Sequence, residues 1–283
     1  HPRPKSQPTR GRWYLEPLSS TLVRELNELA SRTGTTLFMV MTAAFLVVLQ
    51  RRGGQRDIAV GTPVANRSRS DLEGVVGTFV NTLVLRVSME PEISVLEFLQ
   101  RVKDMTLDAF AHQDVPFEKL VEALSDHRDV SRAPLVQAMI NMQNAPLTGL
   151  KMSGLDWEPL PMDRGAAQFE LSMSIDVEIS RALLIEYNVD LFEHSTIERI
   201  AAAFVQCLRS MVADPEIPVG RLDVLPPAER DLLIRGLNDT EVPEAVGRTF
   251  IELFREQVKR SPEKLAVRSE TGSLTYAELD RAA

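Results

Sequence analysis

The chain has 283 residues, 44% of them hydrophobic and 25% charged, with a net charge of −8 and an isoelectric point near 5.2. These totals suit one large or two ordinary globular domains with a sizeable core, and they argue against nucleic acid as the main partner. One cysteine, Cys207, excludes an internal disulfide and fits a reducing, cytoplasmic setting; no stretch approaches the roughly 18 apolar residues of a membrane span.

Residues 1–13, HPRPKSQPTRGRW, are basic and proline-rich and read as a linker or crossover strap. Residues 20–33 carry Leu22, Leu26, Leu29 and Ala30 on one helical stripe, which Gly34 ends. TLFMVMTAAFLVVLQRR, 36–52, is apolar nearly all round, which predicts a buried helix stopped at Gly53 and Gly54. Strands are expected over 57–62 and 79–87, with a long polar loop rich in Gly and Arg between them. A helix over 94–113 opens on a capping box, Ser94 with Glu97. A short helix, 116–124, starts on Pro116, where the missing N–H costs little.

PLVQAMINMQNA, 134–145, reads as a strand that is apolar on both faces, and 146–166 as an irregular excursion. FELSMSIDVE, 169–178, alternates strictly and pairs with ALLIEYNVD, 182–190, in a predicted hairpin. Ser195 and Glu198 suggest another capping box, opening a helix to about Val212 in which Cys207 is a small core residue. The proline-rich stretch 214–246 reads as a linker with one short helix near 227–235. A helix over 248–260, a strand over 265–269 and a capping box of Thr275 with Glu278 follow. The first residue is not Met and the last lies in a helix just begun, so the expectation is a piece of a longer chain. Strands mixed with long helices, one hairpin among them, predict an α/β layered domain whose sheet is not purely parallel.

No stretch carries a self-contained active site. His112 beside Asp114 could be a base held by a carboxylate, but residues two apart near a helix end do not face each other. The plainer reading makes His112 a helix C-terminal residue against the dipole, with Asp114 or a neighbour capping the next helix. SDHRDVSRAPL, 125–135, holds Ser, His and Asp, yet reads better as a polar turn in which Arg132 ties loops by bidentate hydrogen bonds. Four scattered histidines show no metal-ligand spacing, and GTPVANRSR lacks the second Gly and the Lys of a phosphate loop.

Three motifs in order are more specific: VGTPVANRSRSDLEGVVGTFVNTLVLR, HQDVPFEKLVEAL and RDVSRAPLVQAMINMQN. Together they resemble the condensation domain of nonribosomal peptide synthetases. GRTFIELFREQVKRSPEKLAVRSETGSLTYAELDRAA resembles the opening of the adenylation domain that follows it. The resemblance implies a chloramphenicol acetyltransferase-like α/β fold with a mixed sheet covered by helices. It implies these boundaries: a strap at 1–14 from a missing N-terminal half, a C-terminal subdomain at 15–213, a linker at 214–246 and a truncated adenylation start at 247–283.

The resemblance further implies peptide bond formation between thioesters on the phosphopantetheine arms of carrier proteins, in a tunnel between two halves. No cofactor is expected to be bound to this chain itself. Partners would be carrier protein domains, the N-terminal subdomain and the rest of the adenylation domain, with no nucleic acid and no membrane. The family's His-His-x-x-x-Asp-Gly signature is absent, so no catalytic residue is assigned and the piece alone is expected to be inactive. By resemblance, Gly61, Thr62, Pro63, Val64, Ala65, Asn66 and Arg67 form a floor loop, in which Gly61 lets the backbone turn, Pro63 fixes the entry and Arg67 pairs with a carboxylate or packs at the seam. Asn81, Asn141, Gln143, Ser172 and Ser174 are candidate contacts to pantetheine amides, with solvent-facing or core-satisfied roles as the plainer reading. His112, Asp114, Pro116 and Arg132 are structural. A carrier-docking module and a stand-alone CoA-dependent acyltransferase are the alternatives.

Overall fold

The structure is a computed structural model describing every residue except 1, 2, 5, 6, 8, 68, 73, 125–128, 144–163, 178–180, 241–246 and 271. The chain divides into two compact units, His1–Pro227 and Ala228–Ala283.

In the first unit, β1 (Gly11–Pro17), β2 (Asp57–Val64), β3 (Asn81–Ser88), β4 (Ala138–Met142), β5 (Leu171–Asp176) and β6 (Ala182–Asn188) form one sheet in the order β1-β6-β5-β4-β2-β3. β2, β4 and β5 run parallel, and the remaining neighbours pair antiparallel. Alternate residues of β3 and β5 are buried: Leu83, Leu85 and Val87 in the one, Leu171, Met173 and Ile175 in the other. The intervening positions, Ser172 and Ser174 among them, stay half-buried on the other face.

Four helices cover the core face: α1 (Ser20–Thr33), α2 (Leu37–Gly53), α3 (Val95–Ala111) and α5 (His194–Ala213). Leu22, Leu26, Leu29 and Ala30 are the buried residues of α1, as the stripe predicts. Gly34 stops α1 at φ 62°, a left-handed conformation that glycine adopts without steric cost. α2 is buried continuously from Met39 to Val48, as its all-round apolarity requires. α1 and α2 together have the apolar length of a membrane span but meet at a 103° bend, and no single helix among the described residues is long and apolar enough to cross one. Cys207 lies fully inside this core, where desolvation pushes its thiol up to about 12, so it is a protonated packing group.

Several boundaries differ from the sequence reading. β1 was expected to be part of a strap, but GRWYLEP pairs residue for residue with β6 as the sheet's edge strand. Pro17 ends it, as an edge strand permits. β2 runs on to Val64, and β4 shortens to five residues. Ser195 does not cap α5: the helix already includes His194, with Glu193 in the cap position and no side-chain cap bond. Ser94 caps α3, but the Glu97 carboxylate turns to Arg101 at 2.9 Å. The subdomain does not end at 213, because Val219 and Leu222 are buried in the core and the Val95 N–H donates to Ile217 O at 3.0 Å. Prolines in this stretch mark a packed irregular segment here; they do not mark a free linker.

The second unit begins within α6 (Pro227–Ile234) and contains α7 (Phe250–Arg260), β7 (Leu265–Ser269), β8 (Gly272–Thr275) and α8 (Tyr276–Ala282). β7 and β8 form a two-stranded hairpin. Thr275 and Glu278 complete the expected capping box, and Thr249 with Glu252 makes a second one. In both, the threonine backbone N–H donates to the glutamate at 2.8 Å and holds that carboxyl below its ordinary value.

A depressed folded-state pKa contributes stability that is complete above the unfolded value and is lost as pH falls through the folded one. Acidification below the ordinary glutamate pKa should therefore fray α7 and α8 from their first turns. Hydrogen exchange at Glu252 and Glu278 amides should speed up between about pH 5 and about pH 3, relative to intrinsic rates. Flat protection across that range would rule the capping contribution out.

Candidate functional site

The C-terminal ends of the parallel strands β2 and β4 lie at one end of the sheet, where the N-terminus of α2 and the C-terminus of α3 also arrive. Open α/β sheets bind ligands at such strand ends. A cleft of about 610 Å³ sits there, walled by Leu37, Phe38, Leu107 and Phe110 from the helices and by Thr62–Arg67 and Met142 from the sheet side. Polar groups reach it from Asn66, Gln113 and Asn141. Apolar walls with a few amides suit an extended neutral chain bearing amide groups.

One side chain organises this end. Asn81, the first residue of β3, is only 9% exposed. Its Nδ2 donates to Gln113 O and to Val115 O, both at 2.8 Å, and its Oδ1 accepts from Thr82 N at 2.9 Å and Phe117 N at 3.0 Å. It thereby fastens the turn after α3 and the start of α4 (Phe117–Leu124) to the sheet. Asn81 was a candidate for pantetheine; its amide is spent on the chain's own backbone instead. The expected cap from Asp114 is likewise supplied by Asn81, and Asp114 is exposed.

The floor loop is partly strand. Gly61, Thr62, Pro63 and Val64 belong to β2, opposite Val84, Leu83, Thr82 and Asn81. Gly61 makes no turn. Its missing side chain admits Met139 Sδ and Val136 Cγ2, which a Cβ would overlap. The turn comes at Asn66, whose φ of 51° is left-handed, a conformation asparagine tolerates better than most residues. Among the described residues, Arg67 meets no carboxylate. It donates to Leu72 O and, at 3.1 Å, to Gly77 O, and its guanidinium lies 4.4 Å from the Phe79 ring centroid. It therefore closes the loop on itself.

The remaining predicted residues separate. Asn141 lines the cleft, and no side-chain hydrogen bond engages it among the described residues. Gln143 is exposed and uses its backbone N–H on Ile175 O at 2.8 Å. Ser172 and Ser174 lie on the sheet face turned away from the helices. Ser174 sits beside Asn141 in the parallel register. His112 is the C-cap of α3, with Nδ1 2.9 Å from Asp108 O, as the plainer reading has it. Pro116 precedes α4, and its carbonyl accepts from Lys119 N at 3.0 Å. Arg132 contacts Asp129 at 2.8 Å within its own turn, and among the described residues it ties no second loop. Asp126 and His127, with the 146–166 excursion up to 163, lie outside the described residues.

Sequence reasoning missed the helical walls. Leu107 was overlooked, although an exposed leucine at the C-terminal end of a well-buried helix is the available signal; it is 50% exposed.

Comparison with known proteins follows the same lines. The family model described as Condensation domain matches residues 1–234. Tyrocidine synthase 3 of Brevibacillus parabrevis is 40% identical over 284 residues, covering 99% of this chain and 4% of the synthase. Malpinin synthetase of Mortierella alpina is 37% identical over 281 residues, again covering 99% of this chain and 4% of the relative. The chain thus spans a small fraction of the length of these relatives. Among solved structures, a four-domain nonribosomal peptide synthetase bound to AMP and glycine superposes with a TM-score of 0.80 at 24% identity, over 99% of this chain and 22% of the other. The X-domain from teicoplanin biosynthesis gives a TM-score of 0.72 at 24% identity, over 80% and 52%. These structures share the fold class: a chloramphenicol acetyltransferase-like mixed sheet covered by helices.

The node at Asn81 should dominate local stability. Replacing it with Ala strands two carbonyls and two N–H groups and should cost roughly 2–3 kcal/mol in chemical denaturation. Asn81→Asp should cost at least as much, since it sets a carboxylate against two carbonyl oxygens. A loss below about 0.5 kcal/mol in both variants would refute the assignment.

Proposed function

The chain belongs to the condensation domain family, and we propose that it is the C-terminal subdomain of such a domain in a nonribosomal peptide synthetase, followed from about residue 247 by the beginning of an adenylation domain. The family match over 1–234 supports the first part. Several superposed condensation-type chains align with about 80% of this chain over about half of their own length, as one of two similar halves would. Alignment with a synthetase over 99% of the chain supports the reading beyond residue 234.

The reaction is aminolysis of a thioester. The acceptor amine attacks the donor carbonyl, a C–N bond forms, the C–S bond breaks, and the proton lost by nitrogen ends on the released thiol. Both substrates arrive on phosphopantetheine arms of carrier proteins. This chain's contribution is the wall and floor of the reaction space. Leu37, Phe38, Leu107 and Phe110 exclude water, which would hydrolyse the thioester. Asn141 and Gln113 offer amide groups to the arm's amides and hold it in register. We assign no proton transfer to His112, which caps its own helix. The observation that carries the reading is the amide-bearing cleft at the ends of β2 and β4, walled by Thr62–Arg67.

A carrier-docking role has its own support. Val75, Val76 and Val80, on the loop between β2 and β3, are 44%, 101% and 63% exposed, as residues awaiting a protein partner would be.

In the intact synthetase, Asn141→Ala should slow single-turnover dipeptide formation by about tenfold with loading of both carriers unchanged. Gln143→Ala, outside the cleft, should leave the rate alone. Equal rates for Asn141→Ala and wild type would remove the cleft from the reaction.

A further inference from the structure

The N-terminal segment, read from sequence as a passive strap, is held by a specific ion pair 167 positions apart along the chain. Arg3 Nη1 lies 2.6 Å from Glu170 Oε1, and Nη2 lies 2.9 Å from Oε2, a two-pronged match of guanidinium to carboxylate. Glu170 is 8% exposed and the Arg3 side chain 32%, so the carboxylate is buried while the guanidinium keeps contact with water. The same guanidinium donates to Ser131 O at 3.2 Å. Glu170 holds the Arg3 pKa above the ordinary arginine value, and Asp129 adds to this.

Around this pair, backbone bonds continue the attachment. The Gln7 N–H donates to Val130 O at 2.8 Å, Ala167 N to Thr9 O at 2.8 Å, and Gly11 N to Gly165 O at 3.0 Å. Arg10 pairs with Asp190 at 3.0 Å, an exposed contact of small weight. Three separate stretches, 3–11, 129–131 and 165–170, are thus knit into one plate.

This plate has a face. Gln7, Pro134 and Phe169 line a second cleft, of about 430 Å³, opposite Asn81 and Phe117. Asn66, at the floor turn, lines both clefts. We propose that Arg3 is a positioning residue: through Glu170 and Ser131 it holds the strap and the 129–134 turn as a single wall of this second cleft, and so sets where that wall stands for the transfer reaction. Without the charged pair, the restraints left on the strap among the described residues include the backbone bonds of Gln7, Thr9 and Gly11, the exposed Arg10–Asp190 pair and an exposed bond from Gln7 Nε2 to Gln168 O at 3.2 Å. The catalytic consequence rests on the proposed function; the lock itself does not.

The test uses the intact synthetase. Arg3→Ala and, independently, Glu170→Gln should raise hydrogen exchange at the Gln7 and Gly11 amides by about tenfold or more, with the core amides of α2 unchanged. Arg3→Lys should fall between, because an ammonium cannot make the two-pronged contact. The exchanged pair Arg3→Glu with Glu170→Arg should restore protection. In single-turnover dipeptide formation, the single variants should lose about tenfold in rate and the exchanged pair should recover it, with carrier loading unaffected throughout. Unaltered exchange in the single variants overturns the lock. Raised exchange with wild-type rates overturns the positioning role. Because exchange is read without any reaction, failure of the lock is separable from failure of the functional reading, which the Asn141 and Gln143 variants address.

Discussion

Met39–Val48 is buried on every side, so α2 must be surrounded, and that requirement arranges the first unit. α1 folds back across it after the left-handed Gly34, α3 and α5 flank it, and the sheet closes the remaining side. Full burial of a large aliphatic or aromatic side chain contributes on the order of 2 kcal/mol, so this helix outweighs any single polar contact in the chain. Its position is therefore the reference from which the rest is measured. The cleft follows from it: the N-terminus of α2 emerges at the sheet end where β2 and β4 finish, and the last turns of α3 are drawn to the same place.

At that end the covalent chain supplies little regular structure, and polar side chains do the joining. Asn81 takes four backbone groups from three segments. Arg67 gathers the loop through Leu72 and Gly77 carbonyls. Arg3 binds the strap to Glu170 and Ser131. Each side chain replaces a ladder or helix bond that irregular backbone would otherwise leave unmade. Asn and Arg side chains at this end of the sheet therefore hold its shape.

The sequence made some of this legible. A helical stripe and strict alternation located α1 and the β5–β6 pair, because those patterns are consequences of burying one face, and all-round apolarity located α2. It did not show β1, since an edge strand of seven residues containing Arg, Glu and Pro has the composition of a linker until a partner strand is present. The packed segment after Ala213 was hidden for the same reason: prolines end regular structure but do not prevent burial of Val219 and Leu222. In the site, residue types were readable and assignments were not. Asn81 and Asn141 look alike in sequence, yet one is consumed by Gln113 and Val115 carbonyls while the other faces open space. Gly61 did not take its expected part and the turn fell to Asn66, because a glycine that admits Met139 and a glycine that bends the chain are the same letter. Long-range pairing, absent from any single-sequence pattern, separates the two cases.

The chemistry of the cleft accords with this division of labour. Its polar contributors include the amides of Asn66, Gln113 and Asn141, the hydroxyls of Thr36 and Thr62 and the Arg67 guanidinium, and the groups beside it on the other sheet face are hydroxyls, Ser172 and Ser174. The charged side chains of the neighbourhood are turned to other work: Arg67 faces carbonyls and an aromatic ring, and Arg3 faces Glu170. With the lining guanidinium of Arg67 already bonded to Leu72 O and Gly77 O, the surface is better suited to aligning a neutral chain, by hydrogen bonds that are worth little individually, than to gripping a carboxylate or phosphate. That favours a ligand delivered to the cleft, already covalently held elsewhere, over one captured from solution by affinity. Tethering raises the effective concentration of such a ligand, so weak and directional contacts are sufficient to orient it.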